Sequence, residues 1–155
     1  IGYAIPGTVL AISLITISNS NFYFIAICLL IWGYVVRFLT ILKGSLDSGF
    51  ERISPSLDEA ANILGSNSFD ITKKIHLPLL KGPIFVGSLL VFVDIIKELP
   101  ITFILRPFDF DTLSVRIYQY AGDERMAEAL LPALFITVLG LIASSTLIPS
   151  LEKKN

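Results

Sequence analysis

Long apolar runs alternate with polar segments along this chain, and the length of the runs carries the first reading. Gly2 to Ile17 holds no charge and contains Pro6-Gly7, while Phe22 to Leu42 holds one charge, Arg37, with Trp32 and Tyr34 along its length. Leu79 to Ile96 has Lys81 near one end and Asp94 near the other, and Ala129 to Ile148 has no charge. A helix that crosses the hydrocarbon core takes about 17 to 25 mostly apolar residues. The pattern therefore predicts an all-α integral membrane protein with about four transmembrane helices. The connections differ in kind: a tight polar turn at Ser18 to Asn21, a charged amphipathic insert from Lys43 to Pro78, and a mixed segment from Lys97 to Arg125. Pro100 and Pro107 keep that last segment from forming one continuous helix.

The insert has a pattern of its own. Ser56-Leu57-Asp58-Glu59 fits a capping box, in which the Ser56 hydroxyl accepts from the Glu59 amide and Glu59 reaches back to the Ser56 amide. A helix is expected to start at Ser56, with Leu57, Ala60, Ala61 and Leu64 on one narrow face. Gly65 supplies the left-handed residue that ends such a helix. A second short helix is expected from Asn67 or Ser68 to Leu77, with Phe69, Thr72 and Ile75 on one side and Lys73 and Lys74 on the other. Pro78 should end it and open the next span in its first turn, where proline is tolerated. On periodicity alone, this helix-glycine-helix elbow is equally an interfacial connector or a surface that another protein approaches across its alanines.

Composition agrees with a membrane class: 54% of the 155 residues are hydrophobic and 16% charged, with mean hydropathy +0.75, far from an ordinary soluble domain. A net charge of -1 with no sustained basic run gives no electrostatic reason to expect nucleic acid. Cys28 is the single cysteine and lies in an apolar run, so no disulfide framework or cysteine metal site is available. With four crossings, Arg37, Lys43, Arg52, Lys73, Lys74, Lys81, Lys153 and Lys154 fall on one side, against Lys97, Arg106, Arg116 and Arg125 on the other. That bias makes the insert cytoplasmic, with Arg37 counted only if it snorkels to that interface. The chain starts at Ile1 and enters an apolar segment without the charged region of a signal peptide, so it is expected to be part of a longer polypeptide.

Glu59-Ala60-Ala61, Gly65 after three residues, then Ile75, Leu77 and Pro78 resemble the EAA loop of bacterial ATP-binding-cassette importer permeases. "GYAIPGTVLAI" (2–12), "YVVRFL" (34–39) and "VDIIKELPITFILRPFDFDTLSVRIYQYAGDER" (93–125) are similar to the second half of ferric-iron importer permeases, in which two homologous halves are usually fused. The resemblance implies a type I, MetI-like permease core over 1–150 and a cytoplasmic tail over 151–155. It also implies a place in the bacterial cytoplasmic (inner) membrane and alternating access. The implied partners are a dimer of ATPase subunits gripping the EAA loop, an extracytoplasmic substrate-binding protein, a second permease half and membrane lipid.

Asp94 at the far end of its span can line a pathway or simply sit at the interface. Lys97 and Glu98 can form an interfacial ion pair, and the resemblance places them with Pro100 in an outer gate region. Pro6-Gly7 can serve packing or gating. Asp109, Asp111, Tyr118 and Tyr120 offer oxygens of the kind ferric iron prefers. Acidic loop residues are common without metal, however, and the resemblance assigns the selective ligands to the external binding protein, so no metal site is assigned. The lone histidine, His76, is read as an interfacial residue and not a ligand. With no Walker loop and no nucleophile-base pair, no catalytic residue and no cofactor is assigned, and ATP hydrolysis belongs to another chain. A permease for another solute (polyamine, thiamine or phosphonate) and a non-transporting membrane scaffold are the alternatives.

Overall fold

The computed structural model describes residues 2–18 and 23–152. The turn at Asn19 to Asn21, the start of the second span at Phe22, and Lys153 and Lys154 of the tail lie outside the described residues. Helices make up all the regular structure among the described residues: α1 (Gly7–Ser18), α2 (Tyr23–Phe50), α3 (Pro55–Ile63), α4 (Ser68–Ile71), α5 (Leu77–Ile96), α6 (Pro100–Leu105), α7 (Leu113–Gly122) and α8 (Met126–Glu152). A 3-10 turn over Gly2–Ala4 precedes α1, and a π turn over Thr72–His76 joins α4 to α5.

Three helices are long and apolar enough to cross a membrane: Tyr23–Phe50, the continuous stretch Ser68–Ile96, and Met126–Leu147. The first apolar segment departs from the four-span expectation. Its helix has 12 residues, about 18 Å against a core of about 30 Å. Pro6 holds the preceding residue out of helical geometry. Upstream, the chain is pressed against α2, where a Cβ on Gly2 would collide with the Val36 carbonyl oxygen.

The spans also run further than hydropathy marks them. α2 continues eight residues past Leu42 to Phe50, so much of the presumed loop is helix projecting beyond the apolar stretch. The Lys43–Asp47 ion pair at i,i+4 supports that extension. Large apolar side chains such as Trp32, Phe85, Leu131 and Leu141 face outward, which is normal where the surroundings are lipid or another helix rather than water.

α2 and α5 pack through small residues. Leu42, Ser45 and Gly49 on α2 face Gly87, Pro83 and Leu80 on α5 in antiparallel order. A Cβ on Gly87 would lie 2.8 Å from Leu42 Cδ1, and one on Gly49 would lie 2.6 Å from Pro83 Cγ. Pro83 withholds an amide from the ladder inside α5, and its own carbonyl accepts from Ser45 Oγ at 2.7 Å. At the other end of α2, Ala11, Leu30, Ile101 and Leu105 form the buried apolar core that joins α1, α2 and α6.

Candidate functional site: a polar elbow and a buried charge node

The elbow lies between the extended ends of α2 and α5. The N-cap of α3 lies two residues before the one the capping box predicts: Ser54 is the N-cap with extended backbone, Pro55 fills the first turn, and no side chain caps the end. Ser56 instead meets Ser54 Oγ at 2.7 Å. Proline at the first helical position needs no amide partner and has its φ already set, so the Ser-Pro pair prevails over the box.

The exit of α3 follows the sequence. Gly65 has φ +80°, its amide donates to Asn62 O at 3.0 Å, and the Ser66 amide donates to Ala61 O at 3.0 Å. These are the two hydrogen bonds of a Schellman motif. Asn67 then caps α4, its Oδ1 accepting from the Asp70 amide at 2.8 Å.

Pro78 lies in the first turn of α5 as expected, but it does not end the second helix. Chain direction is kept from Ser68 to Ile96 because the Thr72–His76 segment widens into a π turn, with the Leu77 amide donating to Thr72 O. The wider turn gives the proline ring room against the preceding turn, where a regular α-helix would kink or break.

The EAA-loop residues are not all on one surface. Glu59, Ala60, Gly65, Leu77 and Pro78 are exposed and Ile75 is half-buried, but Ala61 faces inward. The expectation that both alanines leave room for a partner is corrected to Ala60 alone. The outer surface is supplied by Leu64 and Phe69 of the expected apolar faces, 84% and 72% exposed, and by Ile63, 87% exposed, which the periodicity had not marked. Their apolar character next to Glu59 was visible in the sequence, but only the capped turn shows that they point away from the protein.

His76 is not isolated: its Nε2 lies 2.8 Å from Asp58 Oδ1, and its ring stands edge-on to Phe50, 5.6 Å between centroids.

A second polar cluster lies midway along α2. Arg37 is about 20 Å along the axis from the Phe50 end, so it does not snorkel to the elbow interface and drops out of the charge count for that side. Its Nη1 donates to Ile5 O at 2.9 Å, and its guanidinium lies over the Tyr3 and Phe38 rings at 5.6 and 5.9 Å. Arg37 Nε is 3.9 Å from Glu98 Oε2 and has no hydrogen-bond partner among the described residues.

Glu98 is 7% exposed. Its Oε1 accepts from the Ile101 amide at 3.0 Å, closing the first turn of α6, and its backbone carbonyl accepts from Ser114 Oγ at 2.8 Å and Thr102 Oγ1 at 3.2 Å. Tyr34 Oη hydrogen-bonds Thr102 Oγ1 in the same cluster. A Cβ on Gly7 would lie 3.1 Å from both Arg37 Nη1 and Glu98 Oε1. Of the two readings of Pro6-Gly7, close packing is the one this contact displays.

The expected Lys97–Glu98 pair does not form. Helix geometry turns Lys97 back onto Asp94 at 2.7 Å and leaves Glu98 to Arg37. That contact raises the Lys97 ammonium above its usual range, a hydrogen bond to Asp94 being the main cause. The stability that the Lys97 ammonium contributes through this contact is lost as pH rises through its raised value. Pro100 opens α6. Of the outer oxygens, the Asp111 carboxylate is held by Arg106 and Arg116, whereas Asp109 is exposed with φ +60°.

Long apolar helices, an exposed elbow and a buried charge node define a multi-pass helical membrane protein with a jointed polar insert. Residues 1–154 match the family described as binding-protein-dependent transport system inner membrane component, and the chain belongs to that family. It is a multi-pass protein of the bacterial cytoplasmic membrane.

Among curated relatives, it is 28% identical over 138 residues to the Fe(3+)-transport system permease protein FbpB 2 of Haemophilus influenzae, covering 88% of this chain and 27% of that protein. The maltose/maltodextrin transport system permease protein MalG of Photorhabdus laumondii is 33% identical over 109 residues, 66% of this chain and 37% of the relative. MalG of Escherichia coli K12 is 32% identical over the same length. The chain thus spans about a quarter to two-fifths of these proteins, which are named as permeases and not as enzymes.

Proposed function

We propose that this chain is the membrane-embedded half of an importer permease that couples ATP hydrolysis on a separate pair of ATPase subunits to movement of a solute, ferric iron, across the membrane. The observation that carries the reading is the elbow. Glu59, Ala60, Ile63 and Leu64 stand out from a capped helix whose glycine joint leads into one unbroken helix from Ser68 to Ile96. Beyond the joint, a displacement therefore has a rigid route to Glu98, two residues past the end of that helix.

On this reading the elbow faces the cytoplasm, Glu59, Ala60, Ile63, Leu64, Gly65, Ile75, Leu77 and Pro78 form the ATPase-coupling surface, and Asp94, Lys97, Glu98 and Pro100 belong to the gate at the other end of α5. A substrate-binding protein delivers the solute from outside, and a second permease half completes the pathway. Iron is favoured because the ferric-iron relative aligns over most of this chain; a sugar is the second reading, supported by the maltose permeases.

The test uses the complete importer in proteoliposomes. Gly65→Pro removes the amide that donates to Asn62 O and imposes a negative φ where the backbone needs +80°. Glu59→Lys reverses the charge on the exposed face. Both are expected to leave the protein inserted and ATP hydrolysis present while solute moved per ATP falls at least about tenfold. Wild-type transport per ATP in both variants would falsify the coupling role. Radiolabelled ferric iron against maltose in the same vesicles decides the solute.

A further inference from the structure

Among the described residues, no extensive packing joins α3 to α2 or α5. Besides its covalent ends and the inward-facing Ala61, α3 is held by the imidazole of His76. That single ring touches three elements: it belongs to the π turn at the head of α5, it meets Asp58 of α3 at 2.8 Å, and it stands at 85° to the ring of Phe50, the last residue of α2. The His76 side chain is 19% exposed and that of Asp58 41%, so the contact is partly shielded from water. Asp58 is adjacent to Glu59, which places the clamp one residue from the exposed coupling face.

We infer that His76 and Asp58 are positioning residues for energy coupling: they clamp α3 to the ends of α2 and α5, so that a displacement of the elbow moves both long helices together. The inference rests on the coupling role proposed above. Loop segments on both sides of α3 would otherwise let it tilt without moving the spans, because a glycine joint and a short turn transmit little torque. A directed hydrogen bond with a charged partner fixes both distance and orientation, which an apolar contact does not. The π turn contributes by carrying the chain past Pro78 without a break, so the ring's attachment to α5 stays stiff.

The complete importer, with its ATPase pair, is labelled with a fluorophore at Cys28, which is exposed on α2, and the amplitude of the ATP-driven signal change is read beside ATP hydrolysis. This readout is independent of which solute is carried. Asp58→Ala and His76→Ala are each expected to cut the amplitude about five- to tenfold with hydrolysis retained, and the double variant to be no worse than the weaker single, as for two members of one contact. The exchange Asp58→His with His76→Asp keeps a hydrogen bond between α3 and α5 but gives up the ring contact with Phe50, so it is expected to accumulate and to recover part of the amplitude lost in the alanine variants.

Full amplitude in either single variant, multiplying effects in the double, or a lower melting temperature with unchanged amplitude overturns the clamp. Should the alanine variants fail to accumulate, the exchange variant decides: loss of its amplitude or of its accumulation overturns the clamp as well. Glu59→Lys measured alongside separates the two proposals. If it abolishes the signal while Asp58→Ala and His76→Ala do not, only the clamp falls; if all three keep it, the coupling role falls too.

Discussion

Glu98→Ala is expected to destabilise the protein by about 3–5 kcal/mol, the cost of leaving one partner of a buried pair without its counter-charge. Arg37 would remain on α2 with its side chain 19% exposed, its Nη1 held by Ile5 O and its Nε still without a hydrogen bond. The same change removes the acceptor for the Ile101 amide at the start of α6. Removing both charges, as in Arg37→Met with Glu98→Met, takes away the uncompensated ion and should cost much less than Glu98→Ala alone. Thermal unfolding of the purified protein in nanodiscs measures both. A Glu98→Ala protein as stable as wild type, or a double variant worse than the single, would show that the pair is not the electrostatic centre of the node.

Gly49→Leu should be nearly as damaging, with a different cause. The first carbon of the new side chain would lie 2.6 Å from Pro83 Cγ, 2.8 Å from Leu80 Cδ2 and 2.9 Å from Pro83 Cβ. A proline ring is tied to its own backbone and cannot rotate aside, so α2 and α5 must separate where they are most closely packed. Overpacking a tight interior costs about 1–3 kcal/mol, and the upper end is expected because the ring cannot yield. Gly82→Ala is the control, since nothing lies within 4 Å of a Cβ there, and it should be tolerated. Proteolysis in native membranes would report the difference: rapid cleavage of the Gly49 variant and wild-type resistance of the Gly82 variant. Equal resistance would mean that α2 and α5 are not locked through this contact.

The elbow shows how much of a site is legible in sequence when its determinants are local. Gly65 and Asn67 take the positions their chemistry predicts, because a left-handed C-terminal residue and a side-chain acceptor at an N-cap each act within a few residues. The capping box at Ser56 fails for an equally local reason, the stronger Ser54-Pro55 start. Pro78 opens α5 without stopping the helix before it, because a proline's effect depends on the hydrogen-bonding of the turn before it, and a π turn has no sequence signature of its own. His76 was legible as the single histidine but not as a contact, since Asp58 and Phe50 reach it only once two helices project beyond the membrane stretch.

By itself, the sequence determined the class: apolar runs of spanning length, an interrupting elbow with a glycine joint, and the spacing of an EAA loop. Those features follow from composition and from interactions a few residues apart, so they are set before the chain folds. Only the tertiary structure decided that Arg37 pairs with Glu98 rather than reaching the interface, that Lys97 turns to Asp94, that Ala61 faces inward, and that one imidazole ties α3 to two spans. In each case the partners come from different helices or depend on the direction a helix presents, and hydropathy carries no information about direction in a helix that is apolar on every face.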